Sequence, residues 1–381
     1  MSAPPIVFCS AFDSGNGRLL RIESPATVTF SLEDDAGGQF RQWFHVRLSH
    51  VRGLPLVVRI VGLNDSAYPG GWPGYAARVS EDRHNWRTAE SQFSKTEEGG
   101  TLTINLAPQG DSVWLAYFVP YSMERHHDLV ARMALSPGVV HRVLGASLDG
   151  QPIDCLTIGE GPLQCWFTAR QHPGETMAEW WMEGALEALI DPSWPFGQRL
   201  RARATLHLIP NMNPDGSSRG FLRTNAAGAN LNREWHDPKP DRSPEVLAAR
   251  NAMDATGVDF ALDVHGDEAL PHAFIAGFEG IPSATPHLLG LLEQYKARLL
   301  LHAPDFQTRV GYPVPGAGKA NLSMATNQIA ERFRAVAATL EMPFKDSAEL
   351  QTPTTGWSPD RSKHLARACL AALHDLLDDL R

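Results

Sequence analysis

From residue 6 to about residue 119, apolar positions fall in short runs that alternate with polar ones or cluster over a few residues. The clearest are 27–30, 43–48, 56–61, 102–106 and 113–118. Turn formers separate them: Asp34-Asp35-Ala36-Gly37-Gly38, Tyr68-Pro69-Gly70-Gly71-Trp72-Pro73-Gly74 and Glu97-Glu98-Gly99-Gly100. No long helix-period stretch interrupts them, so this part reads as an antiparallel β-sandwich with Arg, Gln, Thr and Ser on its wet face. After Pro120 the period changes. Residues 123–133, 177–189, 244–253, 288–301, 322–336 and 362–380 read as helices. Between them, 143–147, 153–158, 163–167, 204–209, 260–264 and 338–340 read as strands. Strands separated by helices predict an α/β/α domain around a mixed, largely parallel sheet. The expected division is 1–121 for the sandwich and 122–381 for the α/β part.

Composition narrows the class. A chain of 381 residues has room for two domains, and 43% hydrophobic with 20% charged residues is a globular balance. No apolar run is long enough to cross a bilayer, so no membrane partner is expected. The start lacks the basic and apolar segments of a secretory signal. Cys9, Cys155, Cys165 and Cys369 contain no Cys-x-x-Cys, so reduced thiols and a cytoplasmic location are expected. A net charge of -9 without a basic run argues against nucleic acid.

The candidate chemistry gathers where strands are predicted to end. In an open α/β sheet, ligands bind outside the carboxyl ends of the strands. The 163–167 strand leads into His172-Pro173-Gly174-Glu175, which puts an imidazole and a carboxylate three residues apart. Alone the pair is weak, because a helix start also favours Glu through its dipole. His265, after the 260–264 strand, shares that address and would complete a His, Glu, His set around a metal with one open position. Asn211-Met212-Asn213-Pro214-Asp215-Gly216 follows a third strand and reads as a strong turn, with or without a part in the site. Arg223, Asn232 and Arg233 lie in loops. They are either solvated surface groups or a two-pronged grip on a carboxylate with an amide beside it. Glu341, directly after an apolar strand and before Pro343, is poorly placed for a mere surface charge and could move a proton.

Together these segments resemble the zinc metallocarboxypeptidases, and most closely a bacterial type of the cytosolic, deglutamylase-like subfamily. The ordered motifs are His-Pro-Gly-Glu, Asn-Pro-Asp-Gly, Asn-Leu-Asn-Arg-Glu-Trp, Asp-x-His-Gly and Thr-Leu-Glu-Met-Pro-Phe. Phe12-Asp13-Ser14-Gly15-Asn16-Gly17 and Val119-Pro120-Tyr121-Ser122 extend the likeness over nearly the whole chain. The resemblance implies one Zn2+ held by His172, Glu175 and His265. It implies Glu341 as general base and acid, and Arg223 as the stabiliser of the oxyanion. Asn232 and Arg233 would grip the C-terminal carboxylate of a peptide or protein substrate, with glutamate one candidate for the residue removed.

Two departures matter. Digestive relatives carry an arginine where this chain has Gly174, which shifts anchoring work onto Arg223 and Arg233. Gly266-Asp267-Glu268 stands where eukaryotic relatives often carry basic residues, which argues against an acidic side-chain preference. Tyr312, in the loop 309–319, is a candidate for the tyrosine that digestive relatives place over the substrate. Arg309 and Lys319 in that loop could meet an acidic side chain or simply be solvated. Two other readings stay open: a zinc amidohydrolase that deacylates N-acyl amino acids, and a binding module with a degenerate site. The first 121 residues could limit access, assist folding or make a homo-oligomer contact. Trp43, Trp72, Trp86 and Trp114 are expected in packing.

Overall fold

The computed structural model describes residues 4–95 and 99–380. Glu97 and Glu98 of the third predicted turn lie outside them. The first part carries β1 (Val7–Cys9), β2 (Arg18–Glu23), β3 (Thr27–Ser31), β4 (His45–Ser49), β5 (Leu56–Val61), β6 (Arg78–Ser80), β7 (Arg87–Thr88), β8 (Glu90–Ser94), β9 (Thr101–Leu106) and β10 (Ser112–Ala116). Among the described residues these form two five-stranded sheets, β1-β4-β10-β6-β7 and β2-β3-β5-β9-β8. The sheets meet through inward side chains: Phe30 of β3 lies 5.5 Å from Phe8 of β1 and 6.1 Å from Phe44 beside β4. The expected sandwich is therefore present, but it is not purely antiparallel. β3 and β5 run parallel, Val28 opposite Val58. The chain leaves β3, crosses to the other sheet as β4 and returns, and such a crossover brings the next strand in with the same direction.

The second part carries α1 (Met123–Ala134), β11 (Val139–Ala146), β12 (Pro152–Ile158), β13 (Leu163–Ala169), α2 (Met177–Ile190), α3 (Pro195–Arg203), β14 (Ala204–Ile209), α4 (Pro214–Arg219), α5 (Pro244–Thr256), β15 (Phe260–Asp267), β16 (Phe274–Ala276), α6 (Pro286–His302), α7 (Ala325–Phe333), β17 (Val336–Pro343) and α8 (Pro359–Leu376). One sheet of order β11-β12-β14-β13-β15-β17-β16 runs through it. "Largely parallel" needs correction. Only the central strands β14, β13, β15 and β17 are parallel neighbours, while β11, β12 and β16 join antiparallel at the edges. The tight turn 149–152 makes β11 and β12 a hairpin, and a hairpin is antiparallel by construction.

Helices cover both faces. Phe167 of β13 meets Trp181 of α2 at 5.9 Å, and the Tyr295 ring of α6 lies 5.0 Å from Phe260. Trp166, one residue before Phe167 and so on the other face, donates from Nε1 to Thr256 of α5 at 3.2 Å. Thr326 of α7 meets Thr339 of β17 on that second face. Being covered on both faces, the central strands read as continuous apolar runs, which is why they were visible in the sequence.

Two strands run further than predicted. β15 continues through His265 to Asp267, and β17 through Glu341 to Pro343, with His265 directly opposite Glu341. The Asn-Pro-Asp-Gly segment opens α4, where the Asn213 side chain accepts from Gly216 N–H at 3.0 Å and Pro214 takes the first position. Of the four tryptophans, Trp43 and Trp72 are buried in core. Trp86 and Trp114 are partly exposed and line a cleft with Phe12 and Trp180.

Candidate metal and substrate site

The loop after β13 is shaped before it carries any chemistry. Arg170 is buried with φ +58°, so the chain turns sharply there. Its guanidinium compensates that turn: Nε donates to Pro173 O at 3.0 Å, and Nη1 donates to Tyr121 O at 2.8 Å and to Glu179 at 2.5 Å. Asn213 Nδ2 holds Gln171 O at 3.0 Å, and Gly174 N–H donates to Leu222 O at 2.9 Å. Glu175 then sits two residues before α2, where the helix terminus favours negative charge.

This loop and β15 bring His172, Glu175 and His265 together. One ligand atom from each lies within 4.8 Å of the others, and all three residues are buried. Glu175 Oε1 is 2.6 Å from His172 Nδ1, Glu175 Oε2 is 2.7 Å from His265 Nδ1, and the two Nδ1 atoms are 3.1 Å apart. The outer nitrogens are engaged elsewhere. His265 Nε2 lies 2.7 Å from Asp263, a carboxylate that only accepts, so Nε2 carries the proton. Asp263 in turn accepts from Thr168 Oγ1 at 2.8 Å and Gln171 Nε2 at 2.6 Å. His172 Nε2 faces Asn230 Oδ1 at 3.1 Å. With both protons held outside, the Nδ1 lone pairs converge with one carboxylate. This is the donor set and supporting shell that zinc takes.

Burial and neighbouring charges pull the buried groups of the cluster in opposite directions. Burial pushes His172 down to about 4, with Arg223 adding to the effect. Burial also opposes charge on His265, but Asp263 and Glu175 hold it well above the usual imidazole range. Glu175 is held below the carboxylate range because His172 and His265 outweigh its burial. Burial, together with Glu175 and Asp267, drives Glu341 well up despite His265. Glu341 Oε2 has no hydrogen-bond partner among the described residues. A divalent cation in the cluster would reverse the upward pulls on His265 and Glu341 and deepen the downward ones on His172 and Glu175.

The other expected residues divide. Asn232 is buried beside the cluster: its Oδ1 accepts from Ala325 N–H at 2.8 Å and its Nδ2 is 3.4 Å from His265 Nε2. Arg223, Arg233 and Asn230 line one cleft with Phe40 and Tyr68 from the first part of the chain. Arg233 Nη1 donates to Asn232 O at 2.6 Å, which steadies its base. Tyr312 reaches the site, donating to Asp267 at 2.7 Å close to Glu341. Arg309 turns the other way, with a largely exposed side chain 3.9 Å from Glu349. Sequence reasoning assigned nothing to Asp263, Asn230, Asp35, Phe40 or Tyr68. The Asp-x-His spacing was a usable signal, since residues two apart on a strand share a face. Asn230 opens the Asn-Leu-Asn-Arg-Glu-Trp segment and was equally within reach, while Asp35, Phe40 and Tyr68 are distant in sequence and left none.

Two family models match this chain. Residues 8–118 match the family described as the cytosolic carboxypeptidase N-terminal domain, and residues 126–270 match the zinc carboxypeptidase family. The solved structure of a metallo-carboxypeptidase from Burkholderia cenocepacia is similar over 98% of this chain and 100% of that one, at 40% identity and a TM-score of 0.95. A metallo-carboxypeptidase from Pseudomonas aeruginosa, in complex with (2-guanidinoethylmercapto)succinic acid, covers the same shares at 41% identity and a TM-score of 0.95. Human cytosolic carboxypeptidase 1 is 27% identical over 319 residues, 71% of this chain but 26% of the human protein's own length.

Proposed function

Because this chain belongs to the zinc carboxypeptidase family and carries the N-terminal domain of its cytosolic branch, we propose that it hydrolyses C-terminal residues from peptides or proteins with one zinc ion per chain. The observation that carries this reading is the buried cluster of His172, Glu175 and His265, with both outer imidazole protons tied down. Those three residues would hold the ion. Zinc held there would polarise a carbonyl and bring the pKa of a bound water near neutral pH.

The remaining work belongs to this chain's own side chains. Glu341, buried opposite His265, accepts the proton of the attacking water at the unpartnered Oε2 and delivers it to the departing amine. Arg223 faces the charge that develops on the scissile carbonyl oxygen. Asn232 and Arg233 hold the substrate's terminal carboxylate, Arg233 through its charge and Asn232 through its amide. Tyr312, which donates to Asp267 beside Glu341, covers the bound end of the peptide. The division between the domains is placed at Tyr121 and Ser122, and a cytoplasmic location belongs to the same proposal.

Glutamate is one end residue suggested by the cytosolic branch. Asp267 favours the opposite choice, since a carboxylate beside the site repels another, and Glu268, driven well up by its burial and by Glu175, offers no positive charge to hold one. A basic or neutral end is therefore the second reading, and the Pseudomonas protein's complex with a guanidino compound is in keeping with it. The test is zinc content together with release from peptides ending in Glu, Lys and Leu, with an N-acyl amino acid alongside. Glu341→Gln should keep its zinc and lose release. Full zinc occupancy with no release from any peptide would reject the peptidase reading.

A further inference from the structure

Resting on the reading of Arg223 as the oxyanion group, we propose that Asp35 is the positioning residue of that arginine, so that the N-terminal sandwich supplies part of the active site. Asp35 lies in the loop after β3 and is buried, yet its carboxylate reaches out of its own domain. Oδ1 accepts from Leu222 N–H at 2.7 Å, and Oδ2 accepts from Arg223 N–H at 2.7 Å and Thr224 N–H at 2.9 Å. Thr224 Oγ1 adds a longer bond at 3.3 Å. Successive amides turned onto one anion fix the backbone of residues 222–224, as in an anion-binding nest.

The side chain is steered from the same domain. The Arg223 guanidinium lies 5.6 Å from the ring centroids of both Phe40 and Tyr68. Two aromatic faces at that distance attract and orient a cation. Among the described residues no carboxylate pairs with this guanidinium, so its direction rests on the backbone that Asp35 holds and on the two rings. The loop is fastened on its other side as well. Leu222 O accepts from Gly174 N–H at 2.9 Å, which ties the arginine segment to the segment of His172 and Glu175. The first domain thus meets the second at the loop that needs the most accurate placement. Asn16 Nδ2, donating to Gly220 O at 2.9 Å, and the close approach of Gly228 to Ala36 O extend the same contact.

A simple domain staple would use the same bonds, so the test separates staple from positioning. Full-length zinc-loaded protein is assayed as wild type, Asp35→Ala, Asp35→Asn, Arg223→Ala and the double variants. The readouts are kcat, zinc content and thermal midpoint. Asp35→Ala is expected to lower kcat about 10- to 100-fold at unchanged zinc content, because a small misplacement of a charge-stabilising group has that cost. Asp35→Asn, with one acceptor oxygen left, should lose less. In the Arg223→Ala background, Asp35→Ala should change kcat by less than about twofold, since the group it positions is gone. Equal losses in both backgrounds, or no loss in either, overturn the proposal. If Asp35→Ala does not fold, the Asn variant carries the same cycle. If the wild type releases no C-terminal residue, the functional reading fails separately, and a structure of Asp35→Asn decides. An Arg223 guanidinium displaced from the Phe40 and Tyr68 rings upholds positioning, and one left in place overturns it.

Discussion

Asp263 offers a quantitative test of the metal site, because it touches no metal itself and acts through His265. Three donors converge on its carboxylate: His265 Nε2 at 2.7 Å, Gln171 Nε2 at 2.6 Å and Thr168 Oγ1 at 2.8 Å. Asp263→Ala removes the acceptor that holds the imidazole proton on Nε2, and the ring is then free to carry it on Nδ1, the atom facing Glu175. Loss of such a partner typically weakens metal binding about 10- to 100-fold, or about 1.4–2.7 kcal/mol. Thr168 and Gln171 also lose a buried acceptor, at about 1–3 kcal/mol each, so the metal-free protein should lose about 2–6 kcal/mol of stability. Asp263→Asn separates the two effects. An amide oxygen in place of Oδ2 still accepts from His265 and Gln171, and the amide nitrogen can donate to the Thr168 hydroxyl. The tautomer is kept and only the charge is lost, so zinc binding should fall less than about tenfold. Zinc affinity by chelator competition, paired with urea melts of metal-free protein, reads both. An alanine variant that lost stability yet bound zinc within about twofold of wild type would refute the argument, because the ring would then be oriented by something else.

Other expectations follow from the same geometry. Burial opposes charge on His126, but Glu179 at 2.6 Å and Asp154 at 3.3 Å lift its pKa from 6.5 to about 9. A raised imidazole pKa stabilises the fold fully below the unfolded value and loses that contribution as pH rises through the folded one. Stability should therefore fall by about 3 kcal/mol between roughly pH 6.5 and 9, and urea melts of His126→Gln should lack that slope. In Gly174→Ala, the new methyl would meet Leu222 O at 3.0 Å and Leu222 Cα at 3.1 Å, and would push on the segment of Arg223. Zinc content should hold while kcat falls about tenfold, and an unchanged kcat would show that the segment has slack.

Much of the architecture was legible because the central strands are covered on both faces and so appear as unbroken apolar runs. Their ends were less legible. β15 and β17 were expected to stop before His265 and at Leu340, yet both continue, since pairing with each other satisfies their backbones through Asp267 and Pro343. That register sets His265 against Glu341, and no sequence pattern expresses it. The parallel pairing of β3 with β5 was hidden for a similar reason: alternation reveals a strand but not its neighbour's direction. α3 was missed although Pro195 stands at its first position, because it buries little more than Leu200 and Gly197 and shows no apolar stripe. The candidate ligands were readable as His-x-x-Glu and Asp-x-His. The grip of Asp35 on residues 222–224 joins positions 187 to 189 apart, beyond the reach of any local pattern.

One zinc-loaded cluster, with Glu341 moving the proton, is expected to remove residues from the C-terminus of peptides. Mass-spectrometric profiling of a C-terminal peptide library with zinc-loaded wild type and zinc-loaded Glu341→Gln tests it most directly. Products shortened by one residue from the C-terminus are expected from the wild type, and none above background from the variant. Internal cleavage, equal products from both proteins, or an intact library at full zinc occupancy would contradict it.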